Sequence, residues 1–248
     1  MKKSKISTRV LAFVLCIMMF VGIAPMTAFA AEVPMPTGMT KVSDEEQTLA
    51  PGITQNEVVF YDHNNRKQRM FLVTADLSVD TVSVETSYYN DQGSIWGLQR
   101  LTDQVAAAEA NHAGENYKVV AGINAAFFNT STGQPGGAFA INGEVHCSDA
   151  EGNRYPFFAI LKDGTAVIDQ KNTWTTYKDR VAEAVQGYQL IVWNGENQLT
   201  YDPGSTDQTQ KVYPRTCLGI TADGKVVAIQ VDSSYSNYGL SLYHAAEL

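Results

Sequence analysis

Cysteine is scarce in this sequence. There are three in 248 residues, and Cys16 lies in an apolar stretch near the start, which leaves Cys147 and Cys217. Two cysteines do not make the framework of a disulfide-stapled scaffold. One Cys147–Cys217 bridge and two separate buried thiols are both compatible with the sequence. No Cys-x-x-Cys or His-x-x-x-His spacing occurs, and the four histidines (His63, His112, His146, His244) are scattered. The residues therefore predict no zinc-type site, and no metal or other cofactor is expected. Basic residues are also few, 18 against 26 acidic, for a net charge of −8. Phosphate-backbone binding needs a basic face, so nucleic acid is excluded as an expected partner. Beyond residue 30 no apolar run reaches membrane-spanning length, so no membrane association is expected of the mature chain.

The first thirty residues form a unit of their own. Lys2, Lys3, Lys5 and Arg9 precede the fifteen-residue apolar run Val10 to Ala24, Pro25 breaks it, and Ala28-Phe29-Ala30 supplies small residues for a peptidase. This is the pattern of a cleavable secretory signal, with cleavage after Ala30 and an extracellular destination. Without those four basic residues, 14 remain against 26 acidic ones, a net of −12. Hydrophobic residues at 44% and aromatics at 10% are ample for a packed core.

Residues 31–50, rich in Pro, Thr and charge, read as a linker or leader, and 51–248 as one domain. Val58 and Phe60, then Met70, Leu72 and Thr74, alternate around a polar His63-Asn64-Asn65-Arg66 turn and predict a hairpin. Thr81–Tyr89 reads as a third strand. Leu98, Leu101, Val105 and Ala108 fall at helical spacing before Gly114, and Tyr117 to Ile123 reads as a buried strand. Asn142-Gly143, Asp163-Gly164, Asn194-Gly195 and Asp223-Gly224 each stand between apolar runs, and such dipeptides tolerate the positive φ of tight hairpin turns. A second helix is expected at Tyr177–Gln186, stopped by Gly187. The fold class predicted is α+β: a large, twisted, mainly antiparallel sheet with a few packed helices in a single domain. The last ten residues, Gly239 to Leu248, read as the start of an amphipathic helix with no capping signal, so the sequence is expected to be incomplete at its C-terminus.

Two stretches are candidates for chemistry. In 119–145 a strand would deliver Asn124 at its end, followed by Phe127, Phe128 and a loop of small residues containing Gly136 and Gly137. Strand ends beside glycine-rich loops let backbone approach a ligand, although composition alone favours a plain strand–loop–strand turn with two core phenylalanines. In 212–242, Arg215 after Pro214 could offer its fork to a phosphate or carboxylate, and Asp232 ends the following strand. A surface arginine and a turn-forming aspartate are the plainer alternatives.

Taken in order, Asn-x-x-Phe-Phe, the Gly-Gly loop, strand–Asn-Gly–strand, Pro-Arg-Thr-x-x-Gly and Val-Asp before a loop resemble the phosphodiester glycosidase family. The resemblance extends to Ala50-Pro51-Gly52-Ile53-Thr54-Gln55, to Leu98–Ile123 and to Gly187 ahead of Tyr188–Trp193. It implies an α+β fold and hydrolysis of sugar-1-phosphodiesters such as N-acetylglucosamine-1-phosphodiesters, with cell-wall or capsular polymers as possible targets. It also implies site roles: Asp232 as the carboxylate, Arg215 on the phosphate and Asn124 as a hydrogen-bond partner. Phe127, Phe128, Gly136, Gly137, Thr216 and Gly239 would form the substrate-binding surroundings. Ser233 and Ser234 follow Asp232 where relatives carry Gly and a basic residue. Ala126 stands where many relatives carry Asp or Gly, and Asn129 where Asp is common, so a second carboxylate is missing. The competing expectation is a non-catalytic extracellular module of the same fold that binds carbohydrate, using its Tyr and Trp side chains.

Overall fold

The alternation of apolar and polar residues around the His63–Arg66 turn closes a long hairpin between β2 (Ile53–Tyr61) and β3 (Lys67–Ala75). The turn is held by one side chain. Asp62 accepts from the backbone N–H groups of Asn64 and Arg66, both at 2.9 Å, and from Arg66 Nε at 2.8 Å. In this computed structural model the residues described are 32–91, 96–202, 204–232 and 239–248. The predicted secretory leader lies outside them.

The stretch read as a linker contributes β1 (Thr40–Ala50), an edge strand antiparallel to β2. Its composition is that of a solvated edge, with Asp44, Glu45 and Glu46 guarding it against pairing with another chain. β11 (Arg215–Ile220) and β12 (Val226–Val231) complete the first sheet, in the order β1-β2-β3-β12-β11, with every neighbouring pair antiparallel. A second five-stranded antiparallel sheet runs β5-β4-β8-β6-β7, from β4 (Phe139–Ile141), β5 (Glu144–Val145), β6 (Phe157–Leu161), β7 (Ala166–Asp169) and β8 (Val181–Gln186). β9 (Val192–Trp193) and β10 (Glu196–Asn197) form a small ribbon. All four predicted Asx-Gly turns join successive strands, with positive φ at Asn142, Gly143, Gly164, Asn194, Gly195 and Gly224.

The helices are few and short: α1 (Leu101–Asn111), α2 (Asp149–Gly152), α3 (Trp174–Tyr177) and α4 (Leu242–Ala245). Sheet dominance with sparse helices is the α+β class predicted. Among the described residues no helix is long and apolar enough to cross a membrane.

Three local expectations fail for a common reason. The second predicted helix is instead the short α3 followed by β8. Ala and Glu in Val181–Gln186 favour helix locally, but pairing with both β4 and β6 buries Val181, Ala184 and Gln186, and tertiary contacts override propensity. Thr81–Tyr89 and Tyr117–Ile123 form no strands. They use side chains where a ladder would use carbonyls: Glu183 accepts from the Thr86 N–H at 3.0 Å, and Glu109 from the Val119 N–H at 3.2 Å.

The core is distributed over both sheets. Ala75, Val226, Leu218 and Ile220 of the first pack with Phe158, Ile160, Ile168 and Val185 of the second. On its other face the first sheet buries Val58, Phe60, Met70 and Val231 beneath Val33 and Leu240. Behind the second sheet, Trp174 and Phe157 anchor a third cluster. Each fully buried Val, Leu, Ile, Phe or Met side chain among these contributes about 1.5–3 kcal/mol by leaving water. Cys147 and Cys217 are free thiols, on different sheets' flanks. Burial raises both, Cys217 to about 11 with Arg215 partly opposing.

The last ten residues are tied in rather than frayed. The Gly239 N–H donates to Gln68 Oε1 at 3.0 Å, Leu240 bridges Tyr213, and Ser241 caps α4 by accepting from the His244 N–H at 3.1 Å. Glu247 then accepts from Thr37. Ser241 is the cap that sequence reading did not find.

Candidate functional site

Arg215 and Asp232 are close in the register of β11 and β12 but turn to opposite faces. Arg215 pairs with Val231, which pairs with Met70 and through it Val58, so these four share the face that buries the Leu240 cluster. Its fork is taken there: Nε donates to Leu240 O at 2.9 Å, and Nη2 to Lys211 O at 2.7 Å and Gln208 O at 3.1 Å. The Tyr213 ring lies 5.1 Å from its Cζ. Burial lowers the affinity of this guanidinium for its proton, from an ordinary value so high that it stays charged. The arginine expected to receive phosphate therefore has three of its hydrogen bonds on the backbone carbonyls of 208, 211 and 240. Gly239 belongs to the same arrangement. With φ at +127°, a Cβ there would come within 1.9 Å of Tyr213 O.

Asp232 stands on the other face, just past β12. Its Oδ2 is 2.6 Å from Arg69 Nη2, and its N–H donates to Arg69 O at 2.9 Å. The Asp232 contact, through hydrogen bonding first, holds Arg69 more firmly protonated than usual. Arg69 also lies 3.7 Å from Glu57 and over the Phe71 ring. Thr216 shares this face, with its hydroxyl 2.5 Å from Gln230 Oε1. Both members of the Arg69–Asp232 pair remain partly open to solvent, 46% and 28% exposed at the side chain. Sequence reading missed Arg69. It lies 163 residues from Asp232, and only the β3–β12 register brings the two together.

The Asn124 region forms a separate feature. Asn124 lies exposed on irregular backbone rather than at a strand end. Three residues on, the chain turns into a compact loop: Asn129 N–H donates to Gln134 O (2.8 Å), Gly133 N–H to Asn129 O (2.7 Å) and Gly136 N–H to Phe127 O (2.9 Å). This loop borders an open cleft of about 380 Å³, lined by Phe127, Phe128, Gly136, Arg154, Tyr155 and Gln186 among others. Phe127 and Phe128 are 56% and 51% exposed. Gly137 is needed behind them, because a Cβ there would fall 1.7 Å from Gln186 Oε1. The predicted residues thus divide into four places: Asp232 and Thr216 on one sheet face, Arg215 and Gly239 on the other, Phe127, Phe128, Gly136 and Gly137 around the cleft, and Asn124 on irregular backbone of its own. Among the described residues no group of three His, Cys, Asp or Glu side chains is arranged to hold a metal ion.

A family model described as phosphodiester glycosidase matches residues 117–248, just over half of the chain. The chain belongs to the phosphodiester glycosidase family. Two solved structures share the architecture of this family member. One is the catalytic domain of zebrafish N-acetylglucosamine-1-phosphodiester alpha-N-acetylglucosaminidase, auto-inhibited by its pro-peptide. It matches with a TM-score of 0.58 at 18% identity, over 83% of this chain and 71% of that one. The other is a hypothetical protein from Synechocystis, with a TM-score of 0.52 at 13% identity, over 88% of this chain and 56% of that one. At these identities the likeness concerns the fold. No curated protein matches the sequence.

Proposed function

We propose that this phosphodiester glycosidase is an exported hydrolase that cleaves the glycosidic bond of sugar-1-phosphodiesters of the N-acetylglucosamine type. Its targets would be carried on cell-wall or capsular polymers. Family membership supports the reaction class, and the leader pattern of residues 1–30 supports export. The observation that carries the site assignment is the Asp232–Arg69 pair, a carboxylate at a strand end, 2.6 Å from a guanidinium and partly open to solvent.

The chemistry suits so small a set of groups. A glycosyl phosphodiester already has a stable anionic leaving group, so it needs less general-acid help than an ordinary glycoside. It does need a carboxylate to activate water or support the oxocarbenium-like state, and a cation to receive the phosphate. In this reading Asp232 is the carboxylate, and Arg69 orients it and draws the phosphodiester in. Water adds to the anomeric carbon, the bond from that carbon to the phosphate oxygen breaks, and free sugar and a phosphate monoester leave. Thr216, on the same face, gives its hydroxyl proton to Gln230 Oε1 and is left as an acceptor toward substrate, while Asn124 lies on the separate exposed loop. Arg215 is a positioning residue that holds the 208–211 and 240 backbone.

The test is sugar release from UDP-N-acetylglucosamine and from a methyl phosphodiester of N-acetylglucosamine. Asp232→Asn should lower the rate at least about 100-fold with an unchanged unfolding midpoint, the size expected when a positioned acid–base group is lost. Arg69→Ala should lower it too. Wild-type rates in Asp232→Asn would remove the carboxylate from the mechanism. A second reading, a non-catalytic carbohydrate-binding module, is favoured by the exposure of Phe127, Phe128 and Tyr188. No release by the wild-type chain, with carbohydrate binding retained, would select it.

A further inference from the structure

The four Asx-Gly turns are alike in sequence and differ in what their glycine N–H groups do. Gly143 N–H donates to Ala182 O at 2.7 Å, Gly164 N–H to Leu161 O at 2.9 Å and Gly224 N–H to Thr221 O at 2.9 Å. Gly195 N–H has no hydrogen-bond partner among the described residues. Neither has the side-chain amide of Asn194, which is exposed at the tip of the β9–β10 ribbon. A Cβ on Gly195 would meet nothing within 4 Å, so solvent surrounds this tip. Asn142 and Asn194 have the same φ of 51°, and the two Asn-Gly steps therefore start from like backbone and differ in bracing.

An asparagine followed by glycine carries its own nucleophile. The glycine backbone nitrogen, once it has lost its proton, adds to the asparagine Cγ, and no side chain on glycine hinders the approach. Ammonia leaves, a succinimide ring forms, and water opens the ring at either carbonyl. Amide and water thus become carboxylate and ammonium, as aspartate or as isoaspartate, whose main chain runs through the side-chain methylene. A hydrogen bond that holds the N–H, or backbone that cannot rotate, stops this until the segment opens. Asn142-Gly143 has both restraints: Gly143 is bonded to Ala182 O, Asn142 N–H donates to Glu183 at 2.8 Å, and β4 pairs with β8 as well as β5. Asn194-Gly195 has neither. Its ribbon has two residue pairs and one further bond, from Gln198 N–H to Ile191 O, and pairs with no third strand. Such a hairpin opens readily in water. At the two Asp-Gly turns, hydrogen bonds led by Thr165 and Thr221 hold Asp163 and Asp223 ionised, and a carboxylate is a poor target for a nucleophile.

We propose that Asn194 is a self-modification site, which deamidates through Gly195 in the native protein while Asn142 is protected, and that the isoaspartate formed loosens the C-terminal segment. Isoaspartate adds one backbone carbon to a two-residue turn, and such a turn cannot absorb it without shifting the strands it joins. The register of the ribbon matters beyond the ribbon. Asn197 Nδ2 donates to Tyr243 O in α4 at 3.1 Å, and its Oδ1 accepts from Leu199 N–H at 2.9 Å. A shifted ribbon withdraws Asn197 from α4. The change is slow and irreversible, so it records the age of the molecule, and it is independent of hydrolysis at Asp232.

Incubation of the full chain at mildly alkaline pH in heavy-oxygen water, natively and in urea, followed by peptide mass spectrometry, tests it. Each acid formed takes its new oxygen from the water, so conversion at 142 and at 194 is counted separately. The urea rates give the pace of the unfolded chain at each site. Native Asn194 should stay within about three-fold of its urea rate, and native Asn142 should fall at least about ten-fold below its own, since its hydrogen bonds must break first. Asn194→Gln should abolish conversion at 194 and leave 142 unchanged. In protein aged until isoaspartate predominates, hydrogen exchange over residues 239–248 should rise. Asn194→Asp adds the charge without the extra carbon and should exchange like fresh wild type. Equal protection of the two asparagines, faster native conversion at Asn142, or unchanged exchange in the aged protein would each overturn the proposal.

Discussion

Arg215 and Arg154 sit beside tyrosine rings in nearly the same way, 5.1 Å from Tyr213 and 5.2 Å from Tyr155. Around Arg215 the chain folds back twice, and three backbone carbonyls converge on the fork. Around Arg154 none does, and the guanidinium faces a cleft. The arginine in the family-like motif, Pro-Arg-Thr, is the one whose fork meets backbone carbonyls, whereas the arginine outside any motif borders an open cleft. A residue's type and motif thus say little about its role until its hydrogen-bond partners are counted.

The largest expected effect tests the committed arginine. Charge-assisted hydrogen bonds contribute about 1.5–3 kcal/mol each when a partner is removed, and losses within one cluster do not add fully. Arg215→Ala should therefore cost about 3–5 kcal/mol in urea unfolding, with any loss of sugar release following the loss of fold. A stable Arg215→Ala protein that has lost release would return Arg215 to the phosphate and erase the contrast with Arg154.

A committed group of opposite sign sharpens the comparison at intermediate size. Glu183 is buried in the second sheet and accepts from the N–H groups of Thr86 (3.0 Å) and Asn142 (2.8 Å), which pins the irregular 81–89 segment and the β4–β5 turn. Burial raises its proton affinity above the ordinary 4.5, with the two N–H bonds opposing. The native state therefore binds this proton more tightly than the unfolded chain. The resulting stabilisation is fully present below about 4.5 and is lost as pH rises from there through the native value, with a slope of at most ~1.4 kcal/mol per pH unit. Unfolding midpoints measured from pH 4 to 7 should show that slope in the wild type and lose it in Glu183→Gln. Parallel curves would mean that solvation or the N–H bonds offset burial.

Legibility in the sequence followed the range of the interactions. The four Asx-Gly turns and the β2–β3 hairpin are decided within a few residues, by positive φ and by period-two burial, and all are present. Val181–Gln186 was misread because its helical composition is local while its strand character comes from β4 and β6 on either side. The 81–89 and 117–123 segments look like strands residue by residue, but their N–H groups find Glu183 and Glu109, which no short window contains. The site follows the same rule. Asp232 was legible as the polar end of an apolar strand, but its partner Arg69 is read only from the β3–β12 register. Arg215 stood out through its motif, while the carbonyls that fill its fork belong to a loop and to Leu240.

The smallest expected effect completes the contrast. Arg154 is exposed and follows α2. Among the described residues its guanidinium makes no hydrogen bond or ion pair and lies over the Tyr155 ring, and an exposed cation–π contact contributes about 0.5–1 kcal/mol. Replacing it with alanine also removes a charge from a net-acidic chain, where one fewer cation adds slightly to self-repulsion that salt screens. Arg154→Ala should therefore shift the urea midpoint by about 0.5 kcal/mol or less at 0.15 M salt, while Arg215→Ala shifts it several-fold more under the same conditions. A loss above about 1 kcal/mol would mean that Arg154 braces the turn after α2, as Arg215 braces the C-terminal segment. The cleft would then be lined by a structural cation, and the contrast with Arg215 would be gone.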